Sequence, residues 1–200
     1  MNLFPKGLSE RITALLLKKD QAVMEMVYDR VRAVIEKKDV LEAECGNGLM
    51  ISHCAASAAS YTAADASESR LKAVKRKEAA ANVFYIHAHA DALPFADHTF
   101  DAVLLNHVLT FAPNDDAVLL EAGRLLKRDG ILITLDYTKG EADLSETARL
   151  KLMDPVMILS SVLKEKDALR HLLLQNGWIP CEESVLDGTL PLVYTEWKKH

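Results

Sequence analysis

The run at residues 40–48 is the sequence feature that most constrains the fold of this chain. It reads V-L-E-A-E-C-G-N-G. Two apolar residues, an acid and closely spaced glycines are typical of a buried strand that turns sharply into a helix over a bound nucleotide. Glu44 departs from that pattern, because such loops usually have their first glycine at this position. The run therefore predicts a strand, a nucleotide-binding loop and a helix, with one unusual side chain in the loop.

Length and composition limit the remaining possibilities. The chain has 200 residues, of which 50% are hydrophobic, and this is enough for one domain but too few for two sizeable ones. Its formal net charge is −5, with charges of both signs spread along the chain, so we expect no nucleic acid partner. No apolar run approaches the ~20 residues of a membrane span, and the start of the chain lacks the order of a secretory signal. These observations predict a soluble, cytoplasmic, single-domain protein.

Apolar residues at helical spacing predict two helices before the first strand. The first includes Leu8 and Leu16, and the second extends from Met24 to Ile35. Residues 1–38 are thus expected to form a helical cap. The cap either covers one edge of a sheet or forms a lid over a substrate cleft, and we favour the lid.

After residue 39, strand-like runs alternate with helical ones, as in a parallel sheet with helices on both faces. The predicted strands lie at residues 40–45, 61–65, 83–87, 100–106 and 131–137. The predicted helices lie at residues 49–57, 68–81 and 115–127. Asn114 is expected to cap the last helix, and Asp129-Gly130 to form the turn into the fifth strand. Residues 39–137 therefore form the predicted cofactor-binding core.

The remaining residues, 138–200, have a different pattern. Helices predicted at residues 154–163 and 167–175 are followed by extended runs at residues 178–186 and 189–197. Asp187-Gly188 between these runs is typical of a tight hairpin turn. An antiparallel hairpin that closes a five-stranded parallel sheet distinguishes one nucleotide-binding architecture from the others.

Four blocks of sequence carry a resemblance to a known family. After the run at residues 40–48 come Y-T-A-A-D-A-S at 61–67, A-D-A-L-P-F-A-D-H-T-F-D-A-V at 90–103 and E-A-G-R-L-L-K-R-D-G at 121–130. In this order they resemble the motifs of the class I S-adenosylmethionine-dependent methyltransferases. The resemblance is to the small-molecule branch that includes the ubiquinone and menaquinone C-methyltransferases. Arg128-Asp129 stand where the family usually has Pro-Gly.

The resemblance implies a fold, an activity and a cofactor. The implied fold is a single Rossmann-like α/β domain over residues 1–200. It has a mostly parallel seven-stranded sheet, a C-terminal antiparallel hairpin and helices on both faces. The implied activity is methyl transfer from S-adenosyl-L-methionine to a small-molecule acceptor, with S-adenosyl-L-homocysteine as the product.

Acids after the second and third strands are candidates for binding the adenosine part of this cofactor. Asp65 can accept from both ribose hydroxyls, because an acid about 20 residues past the glycine loop has this position in related folds; the alternative is a solvated helix cap ahead of Ser67. The resemblance implies that Asp91, at the end of the third strand, accepts from the adenine amino group and that the Ala92 amide donates to the ring. Ala66, next to Asp65, belongs to the same candidate set.

The remaining cofactor candidates surround the glycine loop. Gly46 and Gly48 allow close approach of the backbone, and Cys45 before Gly46 belongs to the same candidate set. Glu42 either stabilises the loop or receives the methionine ammonium group. Asn106 ends the fourth strand, and its carbonyl is expected to face the methionine end of the cofactor.

Glu44 has three possible consequences for binding. A carboxylate there could face the ligand's own carboxylate, and like charges a few ångströms apart in a partly buried site cost ~1–3 kcal/mol. Glu44 either points away and leaves binding intact, pairs with the methionine ammonium group, or marks a domain that no longer binds the cofactor well.

Methyl transfer requires little catalytic machinery. It is an in-line displacement, so the protein aligns the acceptor, excludes water and removes a proton where the acceptor requires it. His107 is the catalytic candidate, with a helix-capping role as its alternative. Further candidate bases are His89, Asp136 and Tyr137.

Two other groups of residues have weaker functional patterns. Met153, Met157 and Leu159 lie in a segment that is expected either to line an apolar acceptor pocket or to be core. His87 and His89 alternate on a strand, but no carboxylate or thiol stands at a supporting spacing, so no metal site is predicted.

Cysteines at three positions share no metal-finger spacing and are expected to be buried reduced thiols. They are Cys45, Cys54 and Cys181.

Three function classes are compatible with these features. The first is an S-adenosylmethionine-dependent methyltransferase that acts on a small, apolar acceptor. The second is a catalytically weak or inactive methyltransferase-like binding domain, because Glu44 replaces the first glycine. The third is a nicotinamide-dependent oxidoreductase, which the hairpin and the D-A-L-P-F block argue against.

Overall fold

The structure, a computed structural model, describes residues 20–78, 80–139, 163–187 and 191–200. The first predicted helix, nearly all of the helix predicted at residues 154–163, and the acceptor-pocket candidates Met153, Met157 and Leu159 lie outside these residues. Gly188 of the predicted hairpin turn also lies outside them.

Seven strands and six α-helices are described. The strands are β1 (Asp39–Ala43), β2 (Ser60–Asp65), β3 (Val83–His87), β4 (Phe100–Asn106), β5 (Leu126–Tyr137), β6 (Trp178–Leu186) and β7 (Leu192–Lys199). The helices are α1 (Gln21–Ile35), α2 (Leu49–Cys54), α3 (Glu68–Lys77), α4 (Val108–Phe111), α5 (Asp115–Leu125) and α6 (Lys166–Gln175). A 3-10 turn (Ala55–Ser57) follows α2.

All seven strands form one mixed sheet in the order β3-β2-β1-β4-β5-β7-β6. The pairings among β1 to β5 are parallel, whereas β7 lies antiparallel between β5 and β6. The predicted antiparallel pairing of the two C-terminal strands is therefore confirmed. The sheet order places the parallel core at one side and the hairpin beside β5.

Helices cover both faces of the sheet because neighbouring strand residues point to opposite sides. Val40 and Leu104 pack in one apolar cluster with residues of α1, α2 and α3. Leu41 and Leu105, the next residues along the same strands, pack in a second cluster with residues of α4, α5 and α6. The sheet is thus the middle layer between two cores.

The second predicted helix, α1, packs firmly against the first of these cores. Val27, Val31 and Ile35 have no exposed surface. The Tyr28 ring stacks on His53 of α2, with ring centroids 4.1 Å apart. These contacts correspond to the sheet-covering alternative for α1.

Several predicted boundaries were wrong. β1 ends at Ala43 and not at Cys45, because Glu44 has a φ of 55° and turns the chain out of the strand. α3 ends at Lys77 and not at residue 81. The helix predicted at residues 49–57 changes to 3-10 geometry after Cys54. The short helix α4 was not predicted.

The turn predicted at Asp129-Gly130 lies instead within β5. Phe100 pairs with Leu126 and Ala102 with Ile131, so β5 is bulged between these positions. A Cβ on Gly130 would come within 2.9 Å of the Lys127 carbonyl oxygen. Gly130 thus marks a close backbone approach within the strand, and not the turn that the sequence pattern predicted.

Two further expectations have clear outcomes. Asn114 caps α5 as predicted, since its side chain accepts a hydrogen bond from the Ala117 amide at 3.2 Å. Cys45 and Cys54 are buried free thiols, but Cys181 is exposed, because it lies on β6 at the edge of the sheet. None of the helices within the described ranges has the length and apolar composition needed to cross a membrane.

Candidate functional site

The candidate site lies at the carboxyl edge of the parallel strands, where the strand order reverses. β1 continues on one side to β2 and β3, and on the other to β4 and β5. Ala43 at the end of β1 is next to Leu105 near the end of β4. Ligands of open α/β sheets bind in the crevice at this kind of switch point.

The glycine loop connects β1 to α2 at this edge. Gly46 and Gly48 have φ values of 59° and 77°, which glycine adopts at little cost. The Cys45 amide donates to the Ala64 carbonyl at 2.9 Å and holds the loop against β2. A Cβ on Gly46 would meet its nearest neighbour, the Glu44 carbonyl oxygen, only at 3.9 Å, so the space beside this glycine is open.

Gly48 has a different structural role. A Cβ at this position would lie 2.5 Å from Cγ1 of Val74 in α3. Gly48 therefore allows α2 to begin close to α3. The predicted close approach at this glycine involves a neighbouring helix of the chain itself.

Asp65 ends β2 and holds the glycine loop. Its Oδ2 accepts from the Gly46 amide at 2.9 Å, and its Oδ1 accepts from the Ser67 amide at 2.7 Å and from Nε of Arg70 at 3.0 Å. The side chain is completely buried. The alternative of a solvated helix cap is therefore wrong, because Ser67 itself caps α3 and Asp65 lies beneath the loop.

The Glu44 side chain turns towards the end of β2. Its Oε2 lies 3.8 Å from Nη2 of Arg70, and the side chain keeps 28% of its surface exposed. Burial and the charge of Asp65 raise the pKa of Glu44, whereas Arg70 and a hydrogen bond from the Ala66 amide act to lower it. The carboxylates of Glu44 and Asp65 therefore both face the guanidinium group of Arg70.

Glu42 lies below the loop with no exposed surface. Its Oε2 accepts from the Tyr61 hydroxyl at 3.0 Å, whereas Oε1 is buried with no hydrogen-bond partner. Burial, with a smaller contribution from the Asp65 charge, raises the pKa of Glu42 to about 8. At neutral pH the protonated carboxyl group can bond to a neighbouring acceptor or be ionised by an approaching cation.

Asp91 and Ala92 are exposed and lie in a turn four residues past the end of β3, not at the strand end as predicted. The Ala92 amide donates to the His89 carbonyl at 3.1 Å. The turn continues into a loop that Glu121 and Arg124 of α5 hold. Glu121 accepts from the Leu93 amide at 2.8 Å.

Arg124 fixes the same loop from the other side. Its guanidinium donates to the carbonyls of Leu93 and Phe95 at 3.1 and 2.8 Å, and to Asp97 at 2.7 Å. Contacts with Glu121 and Asp97 raise the pKa of Arg124 further above its usual value. The sequence block at residues 121–130 therefore positions the loop formed by the block at residues 90–103.

Polar side chains without partners collect where β4 and β5 end. Asn106 Oδ1, both ring nitrogens of His107 and the Tyr137 hydroxyl are buried with no hydrogen-bond partner among the described residues. The rings of His107 and Tyr137 stack with centroids 4.7 Å apart. Burial lowers the pKa of His107 to about 4, so its imidazole is neutral at physiological pH.

His107 precedes α4 but does not cap it with its side chain. Its φ is 58°, and no hydrogen bond from its side chain satisfies the helix terminus. Asp136 instead supports α4, since it accepts from the Thr110 amide and hydroxyl at 3.0 and 2.8 Å. Burial raises the pKa of Asp136 to about 7, and its bonds to Thr110 act in the opposite direction. The alternative prediction, that the His107 side chain caps the helix, is therefore wrong.

The two histidines at and just after the end of β3 do not form a pair. His87 ends β3 and bonds to the Ala66 carbonyl through Nε2 at 3.0 Å, whereas His89 lies beyond the strand in an isolated bridge with Ala92. Within the described parts of the chain, no group of three or more metal-ligating side chains lies close enough to hold a metal ion.

Sequence reasoning missed Arg70 as a site residue. It lies five residues after Asp65, in the first turn of a predicted helix. That spacing could have indicated its role, because the first turn of a helix that begins at residue 68 lies close to the end of the preceding strand. Glu121 and Arg124 were within the fourth block, but no role was assigned to them.

Comparison with known proteins identifies the core. Residues 41–134 match the model of the methyltransferase domain family. These residues, a little less than half of the chain, are therefore similar to a methyltransferase domain. The match starts within β1 and ends within β5, so the glycine loop, the β2 acid and the residues after β4 all lie inside it.

Relatives extend the comparison beyond residues 41–134. The chain is 29% identical over 168 residues to a fatty-acid O-methyltransferase of Mycolicibacterium smegmatis, covering 83% of this chain and 60% of that protein. It is 34% identical over 87 residues to the ubiquinone/menaquinone biosynthesis C-methyltransferase of Shewanella pealeana, covering 42% of this chain and 35% of that protein. The chain thus spans 60% or less of the length of these two relatives.

A solved structure of an S-adenosylmethionine-dependent methyltransferase from Aquifex aeolicus has the same fold. It superposes with a TM-score of 0.72 at 18% identity, over 94% of this chain and 97% of that one. The predicted resemblance to the small-molecule class I methyltransferases is confirmed.

Proposed function

We propose that this protein is an S-adenosylmethionine-dependent methyltransferase that acts on a small-molecule acceptor. The observation that carries this proposal is the bond between the Gly46 amide and Asp65, which fixes an open glycine loop at the reversal of strand order. The methyltransferase domain match covers both residues. The cofactor, when bound, supplies a methyl group on a sulfonium, which is already a good electrophile.

The residues around the loop fit the chemistry of such a ligand. The space beside Gly46 admits the ligand next to the backbone. Glu42 Oε1 and Asn106 Oδ1 are buried acceptors that lack partners within the described residues, and a ligand ammonium group would satisfy them. We assign Glu42 and Asn106 to the amino-acid end of the site, and Asp91 with the Ala92 turn to the adenine end.

His107 and Tyr137 are the residues we assign to the acceptor. The neutral imidazole of His107 can accept a proton or a hydrogen bond from a hydroxyl group. Tyr137 lies in the apolar cluster that includes Met24 and Tyr28 of α1, so the neighbourhood of the stacked rings is apolar. We therefore propose a small, apolar acceptor whose nucleophilic oxygen lies beside His107.

The relatives support an oxygen nucleophile. The fatty-acid O-methyltransferase aligns over 83% of this chain, whereas the C-methyltransferase aligns over 42%. The longer alignment exceeds the length of the cofactor-binding core, so it also includes residues from the acceptor side. A carboxyl or hydroxyl oxygen on an apolar molecule is therefore the acceptor class we propose.

Two measurements test the proposed function. Calorimetric titration with S-adenosylmethionine and S-adenosylhomocysteine should give measurable heat, and titration with a nicotinamide cofactor should give none. Incubation with methyl-labelled S-adenosylmethionine should then transfer label to long-chain carboxylic acids in preference to demethylated quinols. No heat with either sulfur ligand contradicts the proposal, and binding without transfer to either acceptor class favours the non-catalytic alternative.

A further inference from the structure

Both carboxylate oxygens of Asp65 are engaged within the chain. The Gly46 amide donates to Oδ2, the Ser67 amide and Nε of Arg70 donate to Oδ1, and Nη2 of Arg70 forms an ion pair with the same Oδ1 at 3.0 Å. Oδ1 is therefore fully occupied, whereas Oδ2 has one donor and lies beneath the glycine loop. Since the side chain has no exposed surface, a ribose hydroxyl could reach Asp65 only by displacing Arg70 or the loop.

Glu44 places a second carboxylate beside this buried one. The chain leaves β1 in a left-handed conformation at Glu44, and the Cys45 amide then bonds to the Ala64 carbonyl of β2. This path directs the Glu44 side chain across to the end of β2, where Arg70 lies 3.8 Å away. Unlike Asp65, Glu44 retains 28% exposure at the edge where a ligand enters.

Arg70 makes this arrangement electrostatically tolerable. Its guanidinium contacts Asp65 directly and also faces Glu44, so one positive charge lies between two negative ones. Without it, the two carboxylates would repel each other in a partly buried site. Arg70 also holds the Glu44 carboxylate towards β2.

We propose that Glu44 is the carboxylate that accepts hydrogen bonds from the cofactor's ribose hydroxyls, and that Asp65 and Arg70 position it. This inference rests on the proposed function, because it assigns roles within the same cofactor site. The glutamate that replaces the first glycine is then a binding residue and not a defect. It takes a role that a free Asp65 would otherwise have.

The assignment is tested by comparing S-adenosylhomocysteine with an analogue that lacks both ribose hydroxyls. Calorimetry compares the native chain with Glu44→Gly and Glu44→Gln, using S-adenosylhomocysteine and its 2′,3′-dideoxy analogue. A hydrogen bond to a charged group contributes ~1.5–3 kcal/mol, which corresponds to a ~10- to 100-fold change in affinity. We expect Glu44→Gly to weaken S-adenosylhomocysteine binding by about this factor, and to change binding of the dideoxy analogue by less than about threefold.

Two controls separate this loss from other effects of the substitution. Glu68→Gln removes one negative charge from the exposed first turn of α3 and should leave both affinities unchanged. Glycine at position 44 also relaxes a φ of 55°, so backbone strain cannot explain weaker binding. Glu44→Gln keeps one acceptor oxygen and should show an intermediate loss.

The outcomes distinguish this inference from the proposed function. If the native chain binds neither S-adenosylhomocysteine nor S-adenosylmethionine, the proposed function and the inference both fail. If it binds, but Glu44→Gly tightens binding or weakens both ligands equally, only the role of Glu44 at the ribose is overturned. Thermal melting of each variant confirms that the compared chains are folded.

Discussion

The His107 ring stacks on the Tyr137 ring, with centroids 4.7 Å apart and planes 4° from parallel. His107 follows β4 and Tyr137 ends the adjacent parallel strand β5, since β4 and β5 pair through Asn106 and Leu135. The His107 amide also donates to the Leu135 carbonyl at 2.6 Å, which fixes the backbone beneath the ring. Ring packing and backbone bonding therefore hold the imidazole in place, and its nitrogens remain available to a ligand.

Replacing His107 by phenylalanine should remove a proton acceptor while keeping the stacked ring. General-base assistance contributes ~10²–10⁴-fold, so we expect kcat for an oxygen acceptor to fall by at least about 100-fold. Affinity for S-adenosylhomocysteine should change little. His53→Phe is the matched control, because His53 also stacks on a tyrosine, Tyr28, but is exposed on α2 and has no assigned role in the site. Full activity in His107→Phe would remove His107 from the chemistry.

The same pair of variants should differ in the pH dependence of folding stability. The pKa of His107 is lowered to about 4 in the folded chain, so the unfolded state binds more protons between pH 4 and about 6.5. The contribution of His107 to the free energy of unfolding should therefore rise by roughly 2–4 kcal/mol with pH across this window. Denaturant unfolding at several pH values measures it.

His107→Phe should lose this contribution, whereas His53→Phe should keep it. The difference between variant and native chain is the quantity to compare, because Glu42 and Asp136 titrate in the opposite sense. Their raised pKa values favour the protonated folded state, so their contributions decline as pH rises towards about 8 and about 7. Parallel pH profiles for the native chain and His107→Phe would show that His107 is not buried as a neutral group.

The sequence predicted those features that depend on local pattern. The strands at residues 83–87 and 100–106 have the predicted bounds, because each apolar run is interrupted by polar or turn-forming residues at both ends. The order of blocks predicted the sheet and its hairpin. The cap at Asn114 was also predictable, since it depends on residues within one turn of helix.

Features that depend on contacts between distant segments were not predictable. The direction of the Glu44 side chain depends on a backbone torsion and on Arg70, 26 residues later in the sequence. The ion pair of Asp65 Oδ1 depends on the same arginine. The stacking of His107 on Tyr137 requires the register of β4 against β5, which the spacing of apolar residues does not determine.

Gly48→Ala should destabilise the fold through two separate effects. The φ of 77° is unfavourable for a residue with a Cβ, and that Cβ would lie 2.5 Å from Val74 Cγ1. Backbone strain and overpacking together should lower the free energy of unfolding by ~2–5 kcal/mol. Gly123→Ala is the control, because Gly123 lies inside α5 with its nearest contacts at 3.4 Å, and alanine there should be neutral or stabilising.

Adding Val74→Ala to Gly48→Ala should recover the steric part of this loss. The double variant should be more stable than the sum of the two single effects predicts, because the smaller side chain removes the colliding methyl groups. Denaturant unfolding of the four chains gives the coupling. Strict additivity would show that Gly48 is required for its torsion alone and not for the approach of α2 to α3.

Arg124→Met should loosen the turn that contains Asp91 and Ala92. The variant removes the donors to the Leu93 and Phe95 carbonyls, so hydrogen exchange across residues 91–97 should accelerate and S-adenosylhomocysteine affinity should fall ~10-fold. Lys127→Met is the matched control, because Lys127 also joins two carboxylates, Asp39 and Asp101, but at the opposite end of β1 and β4. Equal loss of affinity in both variants would mean that general destabilisation, and not the position of the turn, weakens binding.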